Sequence, residues 1–159
     1  MPRKVTKSLR RQISPDRRYQ SVLVQKLINK SMLNGKKHVA EKAVYRALED
    51  AAKKLKSEEP LMVFEKALTN ISPNFEVKSR RVGGANYQIP FPIQGHRQEH
   101  FAFMWLVGSA RERKGVPYEQ SLATEIVDAH NSTGTAFKKK EDTHRMAEAN
   151  RAFAHFAQH

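Results

Sequence analysis

The chain has 159 residues, 39% of them hydrophobic, enough apolar material for one folded domain that buries ~70% of its unfolded surface. Its 29 lysines and arginines against 16 acids leave a net charge of +13, which favours a polyanionic partner, either nucleic acid or an anionic membrane. With no cysteine there is no disulfide framework and no thiolate metal site, and no apolar run approaches the ~18 residues that span a bilayer.

Residues 1–18 carry Arg3, Lys4, Lys7, Arg10, Arg11, Arg17 and Arg18 against Asp16 alone. Such a segment repels itself and is expected to stay extended until phosphates neutralise it. It has no apolar stretch behind its charges, so it does not read as a secretory signal, and an intracellular chain is expected. A helical body is expected over 19–150, with a short extension at 151–159.

Helical periodicity begins with Tyr19, Leu23, Leu27 and Ile28 and stops at Asn34-Gly35. Lys36, Lys37 and His38 fall at the turn into a second helix, about Lys37 to Leu55. Its alanines (Ala40, Ala43, Ala47, Ala51) predict close helix contact. Pro60 opens a third helix behind Ser57, Glu58 and Glu59, as the dipole favours, and Pro73 closes it. Residues 74–93 differ: alternation on both sides of Gly83-Gly84 predicts a two-stranded hairpin, closed off by Pro90 and Pro92. Lys78, Arg80 and Arg81 lie near its tip, which reads as a basic arm, or else as a plain surface hairpin. A fourth helix is expected from about Gln98 to Arg113, ending in Arg111, Arg113 and Lys114. A fifth follows Pro117, and a sixth runs from about Gly134 to Asn150, bearing Lys138, Lys139 and Lys140. The fold class is therefore mainly α: a single six-helix domain with a protruding hairpin between the third and fourth helices.

Three chemistries compete for this pattern. His96-Arg97-Gln98-Glu99-His100 puts two histidines on one helical face with a glutamate between them, as a zinc hydrolase would. It still needs a third ligand, for which Glu125 and Asp128 are the available acids, and the segment is too hydrophilic for a cleft wall. No phosphate loop or nucleophile elbow is present, so neither an enzyme nor a cofactor is expected. A membrane surface would need a helix pairing a lysine face with exposed aromatics, and none does. Nucleic acid fits best. The candidate contacts are Arg3, Lys4, Lys7, Arg10, Arg11, Lys36, Lys37, Lys78, Arg80, Arg81, Arg97, Arg111, Arg113, Lys114, Lys138, Lys139 and Lys140. They are scattered and phosphate-centred, suited to folded RNA recognised by shape. An architectural DNA-binding protein with a groove-reaching β-arm is the alternative.

The run from Val77 to Gly84, continuing through Tyr87-Gln88-Ile89-Pro90, resembles the hairpin of bacterial-type small-subunit ribosomal protein seven. The run from Lys139 to His155 resembles that family's C-terminal signature, and Leu33-Asn34-Gly35-Lys36-Lys37 and Trp105-Leu106 fit as well. The resemblance implies a structural protein that binds the 3′ major domain of the small-subunit ribosomal RNA and nucleates assembly of the subunit head. It also implies a position near exit-site transfer RNA and the outgoing messenger RNA, beside small-subunit protein eleven, in the cytoplasm. Three features depart from the family pattern. Met104 stands where a basic residue is usual, histidines and Glu99 occupy an arginine-rich stretch, and the chain ends in Phe156-Ala157-Gln158-His159.

Overall fold

The computed structural model describes residues 12–57 and 59–158, so Arg3, Lys4, Lys7, Arg10 and Arg11 of the expected arm lie outside it. Six α-helices occur in the expected order: α1 Val22–Ser31, α2 Lys37–Lys54, α3 Pro60–Ile71, α4 His96–Glu112, α5 Tyr118–His130 and α6 Gly134–Ala149. Between α3 and α4, strands β1 Phe75–Val82 and β2 Ala85–Pro92 form one antiparallel ribbon. The expected extension forms a 3₁₀ helix, Arg151–Gln158. Helix α4 starts two residues earlier than expected, because Gly95 adopts φ +56° and turns the chain directly into His96.

Helix α5 lies at the centre, packed on α2, α3, α4 and α6. Leu122, Ala123, Ile126 and Ala129 of α5 meet Val44, Ala47, Leu48 and Ala51 of α2 and Phe64, Leu68 and Ile71 of α3. Alanine dominates these seams, as its spacing in α2 predicts: with no side chain beyond Cβ, helix backbones approach closely. Where α5 passes into α6, Gly134 is required twice over. Its φ is +88°, and a Cβ there would stand 2.7 Å from Cβ of Asp128.

The ribbon closes on Gly83-Gly84, both at positive φ, so two glycines make the tight turn that matches strand twist. Pro90 and Pro92, expected to end β2, are inside it. Counted back from the Val82–Ala85 pair, they face Val77 and Phe75 at positions where the ladder needs no N–H. At the foot of the ribbon the acid and not the aromatic ring is the buried side chain. Glu76 is 5% exposed, whereas Phe75 is 42% exposed, its ring T-shaped to the His144 ring. Cations on both sides of Glu76 make its burial possible.

Candidate nucleic-acid interface

Three buried carboxylates organise the basic side chains. Glu76 receives Lys78 Nζ at 2.6 Å and the Arg97 guanidinium at 2.7 Å, tying the ribbon to the start of α4. Burial alone would raise the Glu76 pKa, but hydrogen bonds from Lys78 and Arg97 outweigh it and hold the carboxyl below its usual value. At the far end of α4, Arg113 bonds Glu125 and Asp128, each at 2.7 Å. Glu125, fully buried, also accepts the backbone N–H of Ala136, an otherwise unpaired donor in the first turn of α6. Those hydrogen bonds, led by the one to Glu125, raise the Arg113 pKa further.

The third carboxylate is Asp16, 1% exposed, within the stretch read as an extended tail. It accepts the backbone N–H groups of Arg18, Tyr19 and Ser21 at 2.8–2.9 Å and the Tyr45 hydroxyl at 3.1 Å. Burial raises the Asp16 pKa, yet the backbone hydrogen bonds prevail and lower it. Tyr45 moves the opposite way, pushed up to about 12 by burial and by the adjacent Asp16. Asp16 thereby fastens this stretch to α2 and to the turn before α1.

These acids divide the candidate contacts into two groups. Lys78, Arg97, Arg113 and Lys139 are held in ion pairs, Lys139 with Glu112 at 2.8 Å. Arg111 donates to the Ser31 carbonyl at 3.1 Å, and Lys140 to the Asn70 carbonyl in the last turn of α3 at 2.5 Å. Burial lowers the Lys140 pKa. Arg80 donates to the Phe156 carbonyl at 3.3 Å. In the second group, Lys36, Lys37, Arg81, Lys114 and Lys138 are exposed and make no side-chain pairing among the described residues.

That second group collects in two places. Lys36, at the α1–α2 turn, shares a groove with Arg111 and Arg113 at the end of α4, next to Lys114. The Lys139–Glu112 pair brings the start of α6, with Lys138, to the same end. Lys36 and Lys37 crowd the positive end of α2, whose first turn has no acid, so the helix dipole and these cations favour an anion there. Arg81 stands apart near the ribbon tip. Helix α4, 17 residues and therefore about 25 Å long, runs from the foot of the ribbon to the first of these places.

The zinc constellation does not assemble. His96 and His100 open α4, while Glu125 and Asp128 bind Arg113 past its other end, and Glu99 takes Lys26 at 2.5 Å. Among the described residues no three histidines or acids could hold a metal ion. No helix among them is long and apolar enough to cross a membrane. Nor does the ribbon tip offer the apolar wedge of a DNA-bending arm, since Val82 faces Ala85 beside two glycines. Sequence reasoning passed over Asp16, Glu76 and Glu125 as anchors. Only Asp16 carries a local signal: an aspartate after Ser14-Pro15 whose side chain can cap the next turn.

The family described as ribosomal protein S7p/S5e matches residues 2–151. The small ribosomal subunit protein uS7 of Chloroflexus aggregans is 58% identical over 147 residues, 92% of this chain and 93% of that protein. Its counterpart in Thermotoga neapolitana is 56% identical, covering 92% of this chain and 94% of its own length. That of Treponema denticola is 54% identical over the same shares.

Proposed function

The chain belongs to the S7p/S5e family of ribosomal proteins, a structural family and not one of enzymes, and from this premise we propose that it is a constituent of the small ribosomal subunit. In this reading it binds the 3′ major domain of the small-subunit ribosomal RNA and nucleates assembly of the head. It lies near the exit site for transfer RNA and the path of outgoing messenger RNA, with protein eleven as a neighbour, in the cytoplasm.

The observation that carries the reading is the sorting of charge. Carboxylates take up Lys78, Arg97, Arg113 and Lys139, yet Lys36, Lys37, Arg81, Lys114 and Lys138 are left without counter-ions among the described residues. Cations spread over two separate places suit a folded polyanion with phosphates on several helices better than one straight groove. Arg3, Lys4, Lys7, Arg10 and Arg11, outside the described residues, would add a third contact. Co-sedimentation with small subunits, followed by crosslinking and mapping of the crosslinked RNA, tests the proposal. Crosslinks confined to the head domain are expected. Crosslinks elsewhere, or a protein that stays out of the subunit fraction, would sink it.

A further inference from the structure

The tight turn fixes the register of the ribbon, and the register decides which side chains share a face. Lys78, Arg80, Tyr87 and Ile89 stand on one face; Ser79, Arg81, Asn86 and Gln88 stand on the other. The first face is engaged. Lys78 pairs with Glu76 and lies 5.0 Å over the Phe91 ring, and Ile89 is fully buried. Tyr87 packs on Phe153 and Phe156 with ring centroids 5.0 and 5.7 Å away, while Arg80 donates to the Phe156 carbonyl. The second face is different. All four of its side chains are exposed, and none makes a hydrogen bond, ion pair or ring contact among the described residues.

Ser79–Gln88 and Arg81–Asn86 are both pairs without ladder hydrogen bonds, the kind in which facing side chains stand closest. Neighbouring pairs on one face are about 7 Å apart, so the four make one continuous polar patch. No acid occurs anywhere on that face.

We propose that Ser79, Arg81, Asn86 and Gln88 form an RNA-reading surface that hydrogen-bonds base edges and ribose hydroxyls. On this inference, which rests on the RNA-binding function above, the ribbon draws its sequence preference from this face and not from Lys78 and Arg80. The occupant follows from the chemistry. Carboxamides match the adenine edge, a guanidinium matches guanine, and a serine hydroxyl can donate to or accept from a base or a ribose hydroxyl. Phosphate alone would need only cations, and three of these four side chains are neutral. An apolar protein surface would strip water from four polar groups and return nothing.

Asn86→Leu combined with Gln88→Met keeps side-chain size, suits a strand and removes both carboxamides. The full-length pair variant, Lys78→Gln and the parent are compared for affinity to a head-domain RNA fragment and to an unrelated structured RNA. Amide exchange in the ribbon is read for each protein. The pair variant is expected to lose about tenfold or more on the head fragment while binding the unrelated RNA as the parent does. Lys78→Gln, which removes a cation already taken up by Glu76, should leave the preference between the two RNAs unchanged. If the pair variant loosens the ribbon, Asn86→Thr with Gln88→Val provides the same comparison. A preference left unchanged by the carboxamide changes, or an equal loss on both RNAs, overturns the assignment of this face. A parent that binds neither RNA overturns the proposed function along with it.

Discussion

Glu76 shows how one side chain can decide what its neighbours are for. It sits between Lys78 and Arg97, each about half exposed, so those cations regain water when the acid is removed. Glu76→Gln is therefore expected to cost about 1–2 kcal/mol, less than breaking a fully buried pair. Its folded pKa is lowered from 4.5, so the carboxylate contributes stability above that pH and loses it as pH falls through the lowered value. Melting curves of parent and variant should accordingly differ at pH 7, begin to converge below about pH 4.5, and meet only below the lowered value. Asp16 makes a parallel case, because Asp16→Ala would leave three backbone donors without an acceptor. A loss of about 1–3 kcal/mol in chemical denaturation is expected, whereas deleting residues 1–12 should leave stability nearly unchanged.

Among the elements, the ribbon depends most on its neighbours, since a lone two-stranded hairpin is only marginally stable in water. Its foot is fixed by Glu76 and by the His144 ring, which accepts the Asn74 N–H at 3.0 Å, and its middle leans on the terminal 3₁₀ helix through Tyr87. Phe153→Ala with Phe156→Ala should raise amide exchange in β2 and leave α5 protected. Equal exchange in both proteins would show the ribbon to be self-sufficient. Arg80→Ala with Arg81→Ala should weaken binding to a head RNA fragment without altering the helical melting transition, and unchanged affinity would refute the arm. The helices and the ribbon were legible in the sequence because periodicity and the paired glycines are local signals. The departures at the chain's end were legible as departures only. Nothing local tells that Phe156 packs on Tyr87, that Glu76 turns inward while Phe75 turns out, or that Lys140 reaches the end of α3. Those facts belong to contacts between residues far apart in sequence, so the basic residues could be counted beforehand but not sorted.

At the scale of the whole molecule, five of the candidate contacts stay exposed and without counter-ions among the described residues, besides Arg3, Lys4, Lys7, Arg10 and Arg11, which lie outside them. If between five and ten of these neutralise phosphates, the logarithmic slope of RNA affinity against salt should lie between about −3.5 and −7. A slope near zero in a filter-binding series would show that charge is not what holds the complex. The contact between Tyr87 and the terminal 3₁₀ helix also sets an order in time. Phe153 follows Tyr87 by 66 residues, and chains are made at about 5–20 residues per second, so a newly made ribbon goes several seconds without its support. During that interval the arm already carries its charge but not its fixed direction. A nascent protein of this kind can be drawn to any nearby RNA before it is shaped to choose one.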